Sequence, residues 1–356
     1  MIYYAIVAVF PLIMWALNDY LVKTKQLDEV KEKKLKRNTF FLALLPLFLL
    51  FVLRDKTIRT DTIGYVRFFL DEIRQFSFAD LLIEETMRQE IGYRLYVKII
   101  SLFTTNYTVY FLINGLVIFG AIYHFAIKHT KNPYLLVFLF VTLGTYGFIE
   151  TGLRQSLAMA ICLFAVDFLK DRKLIRFYLL VVLAYFFHKS ALVFALIYPL
   201  CAIKDYKWSA IVYTILTVVF VLGFTVFQEI VNELLGYNYG VESTDSGFIF
   251  LVLLTGIFIY SAFTHFDHRD ELKNDSTIFH LAMFTLILWV LRLISRTAER
   301  VSYYFIFGIY GYFSNTYDLG SDKISVIIKW LLVIVCFALF VYRNVGINYL
   351  FFWQGA

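Results

Sequence analysis

The sequence predicts an all-α protein, a polytopic transmembrane helical bundle of about 12 spans. Hydrophobic residues make up 60% of the 356 residues and charged residues only 17%, whereas soluble proteins of this length carry more charge. Apolar runs of nearly membrane-spanning length recur along the chain. We expect residues 1–356 to form a single integral membrane domain.

Each predicted span is an apolar run bounded by polar residues. The first run lacks a basic segment before it and a small-residue cleavage site, so we expect it to be retained as a span. Two neighbouring runs, 174–187 and 190–203, also fit one long helix, which would place His188 and Lys189 deep in the bilayer. The runs are 2–22, 38–53, 107–127, 134–150, 152–169, 174–187, 190–203, 208–227, 247–266, 277–294, 299–316 and 325–342.

The distribution of lysine and arginine predicts the orientation. Residues 23–37 hold seven basic residues against three acidic ones, which assigns this loop to the cytoplasm by the positive-inside rule. Alternation then leaves the acidic loop 228–246 outside, with both termini external. The other loops predicted to be cytoplasmic are 128–133, 170–176, 204–207 and 265–276.

One long external region, residues 54–106, separates the second span from the third. Its segment 92–104 is amphipathic, because Arg94, Lys98 and Ser101 interrupt the apolar residues at helical spacing. This segment is too short to cross a bilayer, so we expect an interfacial or re-entrant helix. A long charged loop beside a membrane is typical of a functional region.

Six arginines lie at or near the predicted external ends of spans, where the positive-inside rule disfavours them. A guanidinium close to the bilayer needs a partner, and it pairs best with a carboxylate or a phosphate. The pattern therefore indicates an anionic, phosphate-bearing substrate at the outer face. The six are Arg54, Arg59, Arg67, Arg154, Arg296 and Arg300.

The first motif, residues 54–55 and 59–65, directly follows the second span. Arg54 and Arg59 are candidate phosphate ligands, and Asp61 is a candidate to orient an arginine or to accept a proton. Tyr65 and the nearby Arg67 are further candidates for substrate binding. The alternative is a surface set of ion pairs after a helix end.

The second motif, residues 152–158, opens an otherwise apolar helix. The positive end of this helix is predicted to point outward, which favours an anion there. Arg154 is a catalytic candidate, Gln155 and Glu150 are candidates for substrate binding, and Glu150 is a candidate partner of Arg154. The alternative is an arginine that snorkels to the interface.

The third motif, residues 187–192, contains a histidine between two apolar runs. Histidine titrates near neutral pH and can activate an acceptor hydroxyl, so His188 is a candidate catalytic base. The alternative is a hydrogen-bonded structural histidine.

The fourth motif begins at Arg292. If its helix continues, Arg292, Arg296 and Arg300 share one face, and three like charges repel unless an anion lies between them. The alternative is a simple Arg296–Glu299 ion pair. The candidates for substrate binding here are Arg296, Glu299, Arg300 and Tyr303.

Metal binding is not expected. His265 and His268 lie in a predicted cytoplasmic loop that has no third histidine nearby, and no zinc signature or glycine-rich phosphate loop is present.

The order and spacing of these motifs resemble the EpsG family, a Wzy-like group of membrane polysaccharide polymerases. The resemblance rests on residues 59–65, 152–158 and 187–192, and residues 90–93 and 296–304 fit the same pattern. It covers most of the chain. One departure is Arg59, because family members often have glycine before the Thr-Asp pair, so the resemblance does not imply the backbone shape of this loop.

The resemblance implies a GT-C-like or Wzy-like fold in the bacterial inner membrane. It also implies a polymerase that joins oligosaccharide repeat units, carried on undecaprenyl diphosphate, at the outer face. The product would be O-antigen, capsule or exopolysaccharide. The partners it implies are lipid-linked oligosaccharides, membrane lipid, a chain-length regulator and a flippase, with no nucleic acid.

The implied mechanism is direct displacement with inversion, and it requires no metal or cofactor. Arginines stabilise the diphosphate leaving group, and His188 or Asp61 takes the proton of the acceptor hydroxyl. The arginines in this role are Arg54, Arg59, Arg154, Arg296 and Arg300.

Three other functions fit part of the pattern. A membrane glycan ligase is the closest rival, and the sequence does not separate it from a polymerase. A flippase or exporter of lipid-linked oligosaccharides would explain the arginines, but it should carry polar groups through the middle of several spans. A membrane O-acyltransferase would use a histidine reached by a cytoplasmic acyl donor, whereas His188 is predicted to be external.

Overall fold

A computed structural model describes residues 2–83, 87–235, 247–268, 276–346 and 348–355. These residues form α-helices with short 3-10 and π-helical turns and no strand, which confirms the prediction of an all-α protein. The chain divides into two compact units. One comprises Met1–Phe164, Leu183–His188 and Cys336–Ala356, and the other comprises Ala165–Val182 and Lys189–Val335.

The α-helices are distributed over both units. Those of the first unit are Ile2–Lys25, Glu29–Leu53, Thr62–Arg67, Phe78–Ile83, Ile91–Phe103, Tyr107–His129, Pro133–Thr142 and Thr145–Thr151. Those of the second unit are Ile197–Leu200, Tyr206–Leu222, Phe224–Leu235, Phe248–Asp267, Ser276–Leu291, Arg296–Ser302 and Phe307–Thr316. The helices that belong partly to each unit are Leu153–Lys170, Leu174–Phe187 and Lys323–Asn344.

Among the described residues, five helices are long and apolar enough to cross a bilayer. A sixth span results if the bent pair Pro133–Thr142 and Thr145–Thr151 counts as one. Several other apolar runs form shorter helices, so the membrane character is supported while the predicted number of about 12 spans is not confirmed. The five are Ile2–Lys25, Glu29–Leu53, Tyr107–His129, Phe248–Asp267 and Lys323–Asn344.

The runs 174–187 and 190–203 do not form one continuous α-helix. The α-helix Leu174–Phe187 ends before His188, and a 3-10 helix, Lys189–Leu196, follows. His188 therefore lies at a break between two helical segments, where its side chain can leave the helical surface.

The basic segment 23–37 is largely helical rather than a loop. The first helix continues to Lys25, and the second begins at Glu29. Asp28 caps the second helix, because its carboxylate accepts a hydrogen bond of 2.9 Å from the backbone nitrogen of Lys31. Most of the basic residues therefore lie on the ends of two antiparallel helices.

The predicted external loop 228–246 also differs from the structure. Residues 228–235 belong to the helix Phe224–Leu235. The remainder of this loop, residues 236–246 with the acidic Glu242 and Asp245, lies outside the described residues.

The predicted span 134–150 is bent rather than straight. The helices Pro133–Thr142 and Thr145–Thr151 meet at 63°, and Gly144 between them has a φ of +86°. Glycine adopts this left-handed conformation without the steric cost that other residues bear. Hydropathy does not report a backbone angle, so the sequence did not reveal the bend. Because of the bend, Glu150 lies on the short helix Thr145–Thr151, whose axis points in a different direction from that of Pro133–Thr142.

A helix, Ile91–Phe103, occupies the short segment predicted in the external region. Its polar residues Arg94 and Lys98 are buried, whereas Leu102 and Phe103 are 61% and 82% exposed. Lys98 Nζ donates to the backbone oxygen of Ile73 at 3.3 Å. The helix thus turns its polar face toward the rest of the external region and leaves an apolar face uncovered, as an interfacial or re-entrant helix would.

We predict that Gly144→Ala lowers the free energy of unfolding by about 1–2 kcal/mol, because alanine at this positive φ is strained. An added Cβ would lie 3.6 Å from Arg343 Nη1, an ordinary contact, so the loss would report the backbone angle. The measurement is the apparent unfolding midpoint of the protein in detergent.

Gly120→Ala is the matched control for this substitution. Gly120 lies within the helix Tyr107–His129, and no heavy atom lies within 4 Å of an added Cβ. Its midpoint should not fall, since alanine favours the helix over glycine. An unchanged midpoint in Gly144→Ala would contradict the strain argument.

Candidate active site

One carboxylate in the first unit joins two of the predicted catalytic residues. Arg154 Nη1 donates to Glu90 Oε2 at 2.5 Å, and His188 Nδ1 lies 2.9 Å from Glu90 Oε1. Arg154 Nη1 also donates to the backbone oxygen of Arg88 at 3.1 Å. We refer to Glu90, Arg154 and His188 as the Glu90 cluster.

Two helix ends hold Glu90 beside His188. Glu90 immediately precedes the helix Ile91–Phe103, and His188 immediately follows the helix Leu174–Phe187. A Cβ atom on Gly92 would lie 2.8 Å from both Cβ and the backbone oxygen of Phe186. Only glycine therefore allows the two segments to approach this closely, two residues away from the paired side chains.

The Glu90 carboxylate is charged at neutral pH. Burial favours its neutral form, but the hydrogen bond with His188 and the charge of Arg154 outweigh burial and lower the pKa of Glu90 to about 2. A charged carboxylate only accepts hydrogen bonds. Nδ1 of His188 therefore carries the proton that it donates to Glu90, and Nε2 is the nitrogen that can accept a proton in the neutral imidazole.

The Glu90 cluster is only partly buried. The side chain of Glu90 is 5% exposed, whereas those of Arg154 and His188 are 24% and 12% exposed. The predicted binding residue Tyr65 also interacts with Arg154, and its ring lies 6.1 Å from that of Tyr93. A small polar group can thus reach the arginine and the histidine while the carboxylate stays covered.

A second acidic residue, Glu150, forms its own cluster in the same unit. Glu150 is fully buried, and Arg59 Nε lies 3.1 Å from its Oε2. The hydroxyl of Tyr4 donates to the same oxygen at 3.0 Å, and Thr62 Oγ1 donates to the backbone oxygen of Glu150 at 3.3 Å. We refer to Glu150, Arg59 and Tyr4 as the Glu150 cluster.

The expected pairing of Glu150 with Arg154 is wrong. Each residue has a different partner, Arg59 for Glu150 and Glu90 for Arg154. The two residues are close in sequence, but Gly152 separates the helices that carry them. Gln155, beside Arg154, is buried.

The backbone of Arg59 has a glycine-like conformation, with a φ of +67°. Glycine adopts this region readily, whereas other residues rarely do. This is the position at which the motif departs from the glycine common in the resembling family. The loop therefore has a left-handed residue at this position, and the guanidinium of that residue reaches Glu150.

Arg54 is enclosed by aromatic rings. It is 1% exposed, and its guanidinium carbon lies 4.1 Å and 4.2 Å from the ring centres of Phe51 and Phe111. Arg54 Nη1 donates to the backbone oxygen of Phe51 at 2.8 Å. The structure thus gives this arginine a stacked environment and does not bring it into ion-pair contact with the carboxylate of either cluster.

Asp61 and Arg67 lie at the surface. Asp61 is exposed, and within the described part of the chain its side chain makes no hydrogen bond or ion pair. Arg67 is 74% exposed and lies 3.7 Å from Glu72. Of the two predicted proton acceptors, His188 is therefore the one held by a carboxylate.

The fourth motif lies in the second unit and differs from the prediction. The helix Ser276–Leu291 ends before Arg292, and a new helix, Arg296–Ser302, begins after Ser295. The Ser295 side chain caps this new helix by accepting from the backbone nitrogen of Thr297. A continuous helix, the condition under which Arg292, Arg296 and Arg300 would share one face, is therefore not present here.

Glu299 pairs with Arg292 rather than with Arg296. Arg292 Nε lies 2.5 Å from Glu299 Oε2, and the Tyr303 hydroxyl donates to Glu299 Oε1 at 3.4 Å. Arg292 is buried, whereas Arg296 and Arg300 are exposed. In the second unit, Arg296 and Arg300 are thus the arginines of this motif that face outward.

Within the described ranges, no three histidine, cysteine, aspartate or glutamate side chains lie close enough to hold a metal ion. The Nε2 atom of His265 lies 2.9 Å from the hydroxyl oxygen of Tyr206.

Comparison with known proteins identifies the family. The model of the EpsG family matches residues 37–353, which is nearly the whole chain and includes the complete Glu90 cluster. The chain belongs to the EpsG family. The resemblance seen in the motifs is thereby confirmed. No curated protein and no solved structure matches the chain.

Sequence reasoning did not select Glu90 as a site residue of this EpsG-family chain. It chose residues by charge near predicted span ends, and Glu90 lies in a loop 64 positions from Arg154 and 98 positions from His188. The available signal was the resemblance at residues 90–93, which covers both Glu90 and the close-packed Gly92.

We predict that Glu150→Ala lowers the free energy of unfolding. Breaking a buried ion pair typically costs about 3–5 kcal/mol, and we expect a loss near the lower end of that range. The substitution leaves Arg59 and the Tyr4 hydroxyl without their acceptor, but Arg59 is 23% exposed and regains some hydration. The apparent unfolding midpoint in detergent measures the loss.

Glu72→Ala serves as the control, because Glu72 and Arg67 are both largely exposed and such pairs contribute little. Equal midpoints for Glu150→Ala and Glu72→Ala would show that the Glu150 cluster does not support the fold.

Proposed function

We propose that this chain polymerises a polysaccharide by joining oligosaccharide repeat units carried on undecaprenyl diphosphate. Membership of the EpsG family supports a membrane polymerase of the glycosyltransferase type. The observation that carries the proposal is the Glu90 cluster, in which one buried carboxylate holds both a histidine and an arginine. Glycosyl transfer from a diphosphate to a hydroxyl needs both groups, a proton acceptor and a cation.

The proposed reaction is a direct displacement. A hydroxyl oxygen of the incoming unit forms a bond to the anomeric carbon of the growing chain. The bond from that carbon to the diphosphate oxygen breaks, and its electron pair leaves with undecaprenyl diphosphate. Attack from the face opposite the leaving group inverts the anomeric configuration.

His188 is the proposed general base. Its Nε2 takes the proton of the acceptor hydroxyl, while Nδ1 remains hydrogen-bonded to Glu90. The negative carboxylate stabilises the imidazolium that forms, as the aspartate of a Ser-His-Asp triad does. Glu90 is a positioning residue, since it acts through His188. Asp61 is the alternative base, but its exposed carboxylate has no such partner.

Arginines are the proposed stabilisers of the leaving diphosphate. Arg154 lies in the first turn of the helix Leu153–Lys170 and shares the Glu90 carboxylate with His188. The positive end of this helix also favours an anion. Arg59, with 23% of its side chain exposed, is a second candidate. These cations can neutralise the diphosphate, so we propose a reaction without metal or cofactor. Further proposed ligands in the first unit are Arg54, Arg67, Tyr65, Gln155 and Glu150, and those in the second unit are Arg296, Glu299, Arg300 and Tyr303.

The proposed setting is the outer face of the bacterial inner membrane, with both termini external. The basic residues at 23–37 support this orientation, because the positive-inside rule assigns them to the cytoplasm. The region 54–106, which contains Arg59, Tyr65 and Glu90, is then external. We further propose a GT-C-like or Wzy-like arrangement of about 12 spans. The product would be O-antigen, capsule or exopolysaccharide, made with a flippase and a chain-length regulator.

We predict that a strain lacking this gene accumulates single repeat units on the carrier, and that Arg154→Ala does not restore long chains. Loss of one group that stabilises the leaving charge costs about 10²–10³-fold in rate. The measurement is the electrophoretic length profile of the glycan after complementation with wild type, Arg154→Ala or His188→Ala. Lys56→Ala, an exposed basic residue of the same region, is the control and should restore the wild-type profile.

The rival functions give different profiles. A ligase would leave long chains on the carrier, and an O-acyltransferase would leave chain length normal while acyl groups disappear. A flippase would leave single units at the cytoplasmic face, which an externally added glycosidase distinguishes. Normal long chains in the deletion strain would rule out the polymerase.

We predict that Glu90→Gln lowers kcat by about 10²-fold or more with a smaller change in KM, because the base loses its orientation and its counter-charge. Glu90→Asp should recover part of the rate. Gly92→Ala should act in the same direction by pushing Phe186 away. The assay uses the purified full-length protein in detergent with lipid-linked repeat units.

Gly256→Ala is the control for Gly92→Ala, because its added Cβ meets only Leu332 Cδ2 at 3.8 Å. A wild-type kcat in Glu90→Gln would remove Glu90 from the mechanism while leaving the polymerase assignment intact.

A further inference from the structure

A groove in the first unit lies between the helices Glu29–Leu53 and Tyr107–His129. Its volume is about 740 Å³, and its walls are mainly apolar, including Phe41, Phe48 and Leu116. Its polar residues, Arg37, Asn38 and Tyr123, include no carboxylate. They lie at one end, since the Tyr123 hydroxyl donates to the backbone oxygen of Arg37 at 3.4 Å.

The groove is about as long, measured along the helix, as one lipid leaflet is thick. From Arg37 to Phe48 the helix rises about 16 Å, at about 1.5 Å per residue. The hydrocarbon core of a bilayer is about 30 Å thick, so one leaflet contributes about 15 Å. Phe41 and Leu116 are 57% and 59% exposed, which shows that the groove opens sideways, where lipid chains would lie.

Open space lies between the walls at Gly120. No heavy atom is found within 4 Å of a Cβ atom added there, although Gly120 lines the groove. The two helices therefore leave a gap that their own side chains do not fill. An apolar gap of this kind, facing lipid, suits a flexible hydrocarbon chain.

Arg37 supplies a charge at the polar end of the groove. Its neighbours Lys31 and Lys33 pair with Asp28 and Glu29. In the described part of the chain no carboxylate lies within ion-pair distance of the exposed Arg37 guanidinium. A guanidinium matches the geometry of a phosphate, so the open charge is complementary to a lipid headgroup.

We propose that this groove binds one acyl chain of an anionic glycerophospholipid, whose phosphate lies on Arg37 with Asn38 and Tyr123 beside it. The lipid belongs to the leaflet next to the basic segment 23–37, which is predicted to be cytoplasmic, where anionic lipids are attracted to basic residues. None of the residues that line the groove belongs to the Glu90 or the Glu150 cluster. The lipid proposal therefore does not depend on the proposed polymerase.

Native mass spectrometry of the full-length protein in mild detergent tests the headgroup. Phosphatidylglycerol and phosphatidylcholine with identical acyl chains are titrated separately. We expect wild type to retain one phosphatidylglycerol in preference to phosphatidylcholine. Arg37→Gln should weaken phosphatidylglycerol binding about tenfold or more, as loss of a charged hydrogen bond implies. Lys33→Gln, in the same basic segment but already paired with Glu29, should retain the preference.

A second variant tests the groove itself. Gly120→Phe places a ring in the open space and should abolish retention of both lipids. Val117→Phe adds the same ring to the same helix at a position that is 37% exposed and outside the lining, so it should bind as wild type does. The Gly120→Phe result stands by itself if Arg37→Gln fails to fold.

Three results would overturn the proposal. One is equal retention of the two phospholipids by wild type. Another is unchanged binding in Gly120→Phe. The third is displacement of phosphatidylglycerol by undecaprenyl phosphate at equal concentration, which would make the carrier lipid the occupant.

Discussion

The shared carboxylate of Glu90 is the interaction on which the organisation of the first unit depends. It connects three segments that are far apart in the chain. They are the start of the helix Ile91–Phe103, the start of the helix Leu153–Lys170 and the end of the helix Leu174–Phe187. Removing Arg154 would leave the buried carboxylate without its counter-charge, and removing His188 would leave it without a hydrogen-bond donor. The contact of Gly92 with Phe186 makes the same connection sterically, so packing and electrostatics agree on one position for His188.

The Glu90 and Glu150 clusters follow the same physical rule. In each, the glutamate is nearly or fully buried, whereas about a quarter of the arginine side chain is exposed. The carboxylate compensates the guanidinium at rest, so neither arginine is an unpaired cation beside the bilayer. The exposed part of the planar donor set can still bind a second anion. Such an arrangement suits the proposed diphosphate substrate, because each buried carboxylate keeps its arginine partner when the substrate leaves.

The surroundings of these clusters are inverted relative to a soluble protein. The helix Ile91–Phe103 buries Arg94 and Lys98 and exposes Leu102 and Phe103. Arg54 is likewise enclosed between two aromatic rings. Arg37, in the helix Glu29–Leu53, lies exposed beside an apolar groove. Lipid is the solvent that favours such a surface, because it accepts apolar side chains and leaves polar groups to pair with one another.

The sequence alone predicts the membrane character, the all-α class, the short helix near residues 92–104 and the family. These depend on composition, local periodicity and the order of motifs, all of which are read along the chain. It also selected Arg154, His188 and Arg59 by residue type. The pairings are visible only in the fold: Glu90 pairs with Arg154 and His188, and Glu150 pairs with Arg59. Partners that lie 64 to 98 positions apart leave no local pattern in the sequence. The bend at Gly144 was likewise decided by backbone geometry, which continuous hydropathy does not encode.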